Sequence, residues 1–255
     1  MAYAIDLFCG AGGCSEGLIQ AGFDILFSSD ISDMVELTYR HRHEQLGLHQ
    51  GYNTWFERSD IRNLKGEFIW QKIKSLEWFN NGERECPKDI DLIIGGPSCQ
   101  GFSRAGRRKK DDPRNMLFGE YVRVINEIRP RYIVLENVEG FMDMQFMGYI
   151  GITGIHYTDG SVTPNILRNE LKEIGYKTLE PKILNAADFG VPQLRNRFIM
   201  IAVDEKYISK ELQKCNDKDV LNKILSVAKE QRKIKGLSKK QTTVGDAISD
   251  RKSVV

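Results

Sequence analysis

A cysteine in a glycine-rich loop, directly behind a short aliphatic run, is the residue of this chain best suited to covalent chemistry. Cys99 stands in Gly95-Gly96-Pro97-Ser98-Cys99-Gln100-Gly101-Phe102-Ser103, immediately after the run Asp91–Ile94. If that run is a parallel strand, the thiol is exposed at its carboxyl end and can attack something lying above the sheet. A structural cysteine sits more often inside the apolar run. Glu136-Asn137-Val138 follows a second such run, Arg131–Leu135. A carboxyl group there can face the same cleft as Cys99, and burial would raise its pKa toward a general-acid role. Gln193-Leu194-Arg195-Asn196-Arg197 precedes a third run, Phe198–Val203. Its two arginines, two apart on an extended segment, point the same way and suit phosphate or base contacts.

A second group of residues has the character of a ligand site. Asp6-Leu7-Phe8-Cys9-Gly10-Ala11-Gly12-Gly13 closes the first aliphatic run, where glycines let the backbone approach a ligand at the carboxyl edge of a sheet. The dinucleotide fingerprint would need a third glycine at position 15, which is Ser15, so a nicotinamide dehydrogenase is disfavoured. Asp30 closes the second run, where a carboxylate can accept hydrogen bonds from ribose hydroxyls. Asp60-Ile61 falls where a third strand should end and could hold an adenine. Each acidic residue alone reads as an ordinary surface charge; their places at successive strand ends suggest an adenosyl pocket. Arg104-Ala105-Gly106-Arg107-Arg108-Lys109-Lys110 adds a run of positive charge beside Cys99, fit for contacts with phosphates. A solvated charged loop is the plain alternative, and Asp111-Asp112 tempers its charge.

An α/β sheet must position these groups. Short apolar runs alternate with stretches of helical period. Strands are expected at Tyr3–Phe8, Asp24–Ser29, Asp91–Ile94, Arg131–Leu135, Lys177–Leu184 and Phe198–Val203. Helices are expected at Ser15–Ala21, Asp33–His43, Phe68–Phe79, Phe118–Ile128 and Ile166–Ile174. Strands apolar throughout imply helices on both faces, hence a doubly wound, mostly parallel sheet. Gly96–Leu117 reads as a long functional loop, Gly148–Thr163 as a surface excursion, and Val220–Lys233 as a solvated helix in a lysine-rich tail.

Composition is that of a globular protein, with 41% hydrophobic and 28% charged residues. No apolar run approaches the roughly 20 residues that span a bilayer, and no signal-peptide pattern opens the chain, so a cytoplasmic protein without membrane partners is expected. Lysine plus arginine exceed aspartate plus glutamate by only 37 to 35, so positive charge is local rather than global. The 5 cysteines form no CxxC pair, which points to reduced thiols and to no metal site.

The motifs Asp6–Gly13, Gly95–Ser103, Asp112–Phe118, Glu136–Val138 and Ala187–Arg197 occur in an order that resembles the DNA cytosine carbon-5 methyltransferases of bacterial or phage restriction-modification systems. The likeness runs from Asp6 to about Asp250. It implies the Rossmann-like fold of S-adenosylmethionine-dependent methyltransferases, that donor with S-adenosylhomocysteine as product, and duplex DNA as partner. It implies a donor site of Phe8, Gly10, Gly12, Asp30, Ile31, Asp60, Ile61, Pro97 and Leu117. Cys99, Glu136, Asn137, Arg195 and Arg197 would be catalytic, with Asn137 helping to fix Glu136. Gln100, Ser103, Arg104, Arg107 and Arg108 would face DNA. The same motifs leave two alternatives: a transfer-RNA cytosine methyltransferase, or a DNA-binding remnant without activity.

Two departures from the family pattern carry expectations. Serine at 98 replaces the usual proline before the cysteine, adding a backbone donor and loosening the loop. Nothing after Asp250 resembles a target-recognition domain. The chain therefore reads as a catalytic domain over 1–250, with a donor-binding half at about 1–95, a catalytic half at about 96–204 and a lysine-rich connector at about 205–250. Base recognition would then come from elsewhere, in one version from a second polypeptide.

Overall fold

The structure, a computed structural model, describes residues 1–98, 116–146, 148–158, 160–208, 217–234 and 243. Cys99, Gln100, Ser103, Arg104, Arg107 and Arg108 lie outside the described residues.

Five strands build the parallel part of the sheet: β1 (Ala2–Leu7), β2 (Phe23–Asp30), β3 (Trp55–Arg58), β4 (Leu92–Gly95) and β5 (Tyr132–Val138). Short two-residue strands β6 (Gln145–Phe146), β7 (Tyr149–Ile150), β8 (His156–Tyr157) and β9 (Ser161–Val162) follow. Then β10 (Tyr176–Thr178) and β11 (Lys182–Asn185) pair antiparallel with β12 (Asn196–Asp204), which itself pairs antiparallel with β5. The main sheet has 8 strands in the order β10-β12-β5-β4-β1-β2-β3, with β11 beside β12. Chain order reverses between β1 and β4, the switch point where doubly wound sheets open a crevice beyond their carboxyl ends.

Alternation along the strands sends side chains to two helical layers. From β1, Ile5 and Leu7 enter the large core with Ile69 and Ile73 of α3 (Gly66–Lys74) and Val122 and Ile125 of α5 (Leu117–Ile128). Ala4 points the other way, to Leu18 of α1 (Gly13–Gln20). Helix α2 (Asp33–Gln45) lies against β3, and α6 (Thr163–Glu173) against β10. Burying so many fully apolar side chains at about 25 cal/mol per Å² is the main stabilising term.

Three sequence expectations need correction. The strand expected at Lys177–Leu184 is two strands, because Pro181 has no N–H to give to the ladder; β10 and β11 take opposite ends of the same edge of β12. The helix expected at Phe68–Phe79 breaks after Lys74, and α4 (Glu77–Asn80) resumes beyond the fully buried Leu76. The segment 148–163 is no surface excursion. Tyr149 and Tyr157 are buried and stacked on each other, and Tyr149 also lies against Phe118 and Phe146. Buried Glu170 of α6 ties the segment down by accepting from the Thr153 amide and hydroxyl and from the Tyr157 hydroxyl. The solvated helix expected at Val220–Lys233 is α7 (Asp217–Ile234), most of whose described side chains are exposed; it buries Leu221 and leaves Ile224 and Val227 at an open groove over Tyr132, Leu179 and Val203.

Candidate active site

The carboxyl ends of β1 to β4 meet at a cleft of about 510 Å³ lined by Phe8, Ser29, Asp30, Ile31, Ser32, Ser59, Asp60, Ile61, Arg62, Gly96, Ser98 and Leu117. Six of the nine expected donor residues, Phe8, Asp30, Ile31, Asp60, Ile61 and Leu117, line it. The remaining three do not line it: Gly10 and Gly12 belong to the turn that follows β1, and Pro97 stands between the lining residues Gly96 and Ser98.

The turn after β1 is held by backbone that only certain residues tolerate. Phe8, Gly10 and Gly12 have φ of 58°, 51° and 94°, a left-handed geometry that glycine adopts freely and phenylalanine does not. Asp30 clamps the turn: its Oδ2 accepts from the Gly10 amide at 3.1 Å and its Oδ1 from the Ser32 amide at 3.0 Å. Asp60 caps a short 3-10 turn, accepting from the Arg62 amide at 2.9 Å and from its guanidinium at 2.5–3.1 Å. Arg62 holds the Asp60 carboxyl below the usual carboxylate range. Apolar Ile31, Ile61, Leu117 and Phe8 stand among these polar anchors. A flat heterocycle with a ribose fits that mixture and that volume, so the residues present suit an adenosyl donor.

Glu136 and Asn137 lie within β5 rather than behind it. Neighbouring residues on a strand face opposite ways, and their contacts differ accordingly. Asn137 is buried and donates from Nδ2 to the Pro97 carbonyl oxygen at 2.9 Å, while its Oδ1 accepts from the Val138 amide. It anchors the loop leading to Cys99, where the sequence suggested an anchor for Glu136. Glu136 pairs instead with Arg197, Oε1 to Nε at 2.6 Å. Arg197 opposes Val138 across the ladder and Ile199 opposes Glu136, so the ion pair is a diagonal cross-strand contact. Arg195 is exposed before β12. Burial pushes the Glu136 carboxyl up, and the charge of Arg195 pulls it down. A Cβ on Gly96 would stand 3.0 Å from Glu136 Oε2, a tight contact that the Glu136 carboxylate would have to shift to relieve.

The described thiols are poor nucleophiles. Burial with the nearby charge of Asp6 and Asp30 pushes the Cys9 thiol far up, burial with Asp6 and Glu136 pushes Cys14 up to about 12, and burial raises Cys86. Thiolate chemistry needs the opposite environment.

Beneath the turn, fully buried Asp6 accepts from Ser15 Oγ at 2.5 Å, and burial pushes its carboxyl up to about 7. Sequence reasoning passed over it, since nothing in the run marks one aspartate as buried. A folded value above the unfolded one means stability is present below the unfolded value near pH 3.8 and lost as pH rises through about 7. Asp6→Asn keeps an acceptor for Ser15 and removes the titration. Its stability relative to the unaltered chain should therefore grow between pH 5 and pH 8, by about 2–3 kcal/mol. Denaturant melts at the two pH values check this; a pH-independent difference would refute it.

Among the described residues, no group of three or more His, Cys, Asp or Glu could hold a metal ion, and no helix is long and apolar enough to cross a membrane.

A doubly wound sheet with a cleft at its switch point and an acid–arginine pair beside it is the architecture of the Rossmann-like S-adenosylmethionine-dependent methyltransferases. The chain belongs to the C-5 cytosine-specific DNA methylase family, whose profile matches residues 3–253. It is 38% identical over 200 residues to the type II methyltransferase M1.HphI of Haemophilus parahaemolyticus, covering 77% of this chain and 44% of that protein. It is 35% identical over 205 residues to M.XorII of Xanthomonas oryzae pv. oryzae, covering 77% and 39%. The chain thus spans less than half the length of these relatives. Among solved structures, a prophage-encoded E. coli protein assigned as a DNA modification methyltransferase superposes with TM-score 0.58 at 29% identity, over 83% of this chain and 50% of that one. The Dnmt2 methyltransferase of S. pombe shares the fold, with TM-score 0.54 at 21% identity, over 82% of this chain and 51% of that one.

Proposed function

We propose that this chain is the catalytic portion of an enzyme that methylates carbon 5 of cytosine in duplex DNA, in keeping with the description of its family as C-5 cytosine-specific DNA methylases. The observation that carries the reading is the Glu136–Arg197 pair at 2.6 Å, standing against the loop that leads to Cys99 and beside the donor cleft. S-adenosylmethionine, when bound, supplies an electrophilic methyl group and is left as S-adenosylhomocysteine. Phe8, Gly10, Gly12, Asp30, Ile31, Asp60, Ile61, Pro97 and Leu117 would hold it.

Cytosine carbon 5 is too weak a nucleophile to take a methyl group unaided. The Cys99 thiolate adds to carbon 6, and the ring electrons released by that bond make carbon 5 an enamine carbon. Glu136 hydrogen-bonds ring nitrogen 3 and the exocyclic amine, neutralising charge as the adduct forms. Arg197 holds the carbonyl side of the base, and Asn137 fixes Pro97, two residues ahead of Cys99 in the chain. After methyl transfer a base removes the carbon 5 proton, and the carbon 6–sulfur bond breaks to return the thiolate. Stacked cytosine offers neither atom, so the base must flip out of the helix. Gln100, Ser103, Arg104, Arg107 and Arg108 would meet the strand around it. A bacterial or phage enzyme with this substrate would work in the cytoplasm.

Sequence choice needs base-edge contacts, which we assign to a recognition domain outside the portion described, whether on a longer chain or on a second polypeptide.

Duplex DNA carrying 5-fluorocytosine tests the chemistry, because fluorine at carbon 5 cannot leave as a proton and the thioether persists. With S-adenosylmethionine present, a complex that survives denaturation is expected. Failure to trap would overturn the covalent reading, and trapping on fluorocytosine transfer RNA alone would replace DNA by RNA as substrate.

A further inference from the structure

The glycine turn rests on a side chain to which the proposed chemistry gives no role. His43, in the last turn of α2, is 2% exposed. Its ring lies flat on Tyr39, with centroids 3.8 Å apart and planes 13° from parallel. Its Nδ1 stands 2.8 Å from the Tyr39 carbonyl oxygen. A carbonyl can only accept, which assigns the proton to Nδ1 and leaves Nε2 a bare lone pair. Nε2 is buried without a hydrogen-bond partner. Burial favours this neutral form by pushing the His43 pKa down, against the Tyr39 carbonyl and Glu16.

The unpartnered edge of the ring is where Gly12 passes. A Cβ on Gly12 would stand 2.1 Å from His43 Cε1 and 3.0 Å from Nε2. Glycine is therefore required twice at this position, by its φ of 94° and by the imidazole beneath it. The Gly12 amide donates to the Cys9 carbonyl oxygen at 3.0 Å, which passes the position set by the ring into the turn. The ring is itself fixed from below. The Tyr39 hydroxyl is hydrogen-bonded to Ser15 Oγ at 2.8 Å and to Ser28 Oγ at 2.6 Å, and Ser15 Oγ donates to Asp6. Groups from β1, β2 and α1 thus hold Tyr39, Tyr39 holds His43, and His43 sets the height of the turn.

We propose that His43 is a positioning residue for the methyl donor: its imidazole is the floor that fixes the Phe8–Gly12 turn in the geometry the donor meets. The inference rests on the donor-cleft reading and adds to it a residue that does not line the cleft. A lid or a contact residue would act by touching the ligand; His43 acts through the backbone of Gly12.

The test is calorimetric titration of the whole chain with S-adenosylhomocysteine, for the unaltered chain, His43→Ala and His43→Leu. Alanine removes the floor, whereas leucine keeps most of the volume and replaces the flat edge by methyl groups. Both variants should bind at least tenfold more weakly, with affinity for duplex DNA unchanged. A merely structural role would lower the melting temperature and leave the dissociation constant of the folded chain unchanged. Gly12→Ala, added to His43→Ala, should cost several-fold less in affinity than in the unaltered chain, since one of its two penalties is gone. Binding by both variants within twofold of the unaltered chain, or strictly additive losses in the double variant, would overturn the inference alone. No binding by the unaltered chain would overturn the donor-cleft reading and this inference with it.

Discussion

Cys99→Ser should abolish methyl transfer while leaving S-adenosylhomocysteine affinity within about twofold. A serine hydroxyl is almost wholly protonated near neutral pH and is a far weaker nucleophile than a thiolate. Loss of an enzyme's covalent nucleophile commonly costs on the order of 10⁴–10⁶-fold in turnover. The donor should be indifferent, because the cleft is built from the ends of β1 to β4 and, among the described residues of this loop, is lined by Gly96 and Ser98. Nor can the other described thiols substitute, since burial keeps Cys9 and Cys14 protonated. Transfer of labelled methyl groups to DNA, measured beside calorimetric donor binding, separates the two effects. Transfer within about a hundredfold of the unaltered chain would remove Cys99 from the mechanism, and lost donor binding would mean that the substitution disturbed the loop rather than the chemistry.

The cleft proposed for the donor was legible in the sequence because its residues sit at strand ends. Parallel strands place successive carboxyl ends side by side, so Phe8, Asp30 and Asp60, far apart in the chain, fall on one rim. Aliphatic runs revealed the strands themselves, since burial on both faces removes polar residues from them. Polar support beneath the rim was not legible. Asp6, Ser15, Tyr39 and His43 belong to one strand and two helices, at spacings that show no common pattern, and only folding makes them one hydrogen-bonded stack. The excursion at 148–163 misled for a different reason. Its strands are two residues long, too short for alternation to appear, and its burial depends on Glu170 from the following helix. Asn137 shows the limit of adjacency as evidence. One position along a strand reverses the face, so the residue next to Glu136 holds Pro97 instead.

Glu136→Gln should slow methyl transfer by about 10²-fold or more, the usual scale for a positioned acid or charge stabiliser. Glutamine matches glutamate in size, so the packing around β5 and the close passage of Gly96 should survive. What changes is charge. In the unaltered chain Glu136 and Arg197 form a pair that is preorganised before any base arrives, and burial makes the carboxyl easier to protonate than an exposed one. A cytosine entering the site would meet a group able to accept from its amine and to share a proton with ring nitrogen 3 as negative charge builds. An amide has no acidic proton to share, and it leaves Arg197 without its anionic partner. The loss should therefore fall on turnover, with little change in donor affinity. Single-turnover methylation at saturating donor reads this directly. A rate within threefold of the unaltered chain would take Glu136 out of the chemistry and leave its contact with Arg197 as a strut between β5 and β12.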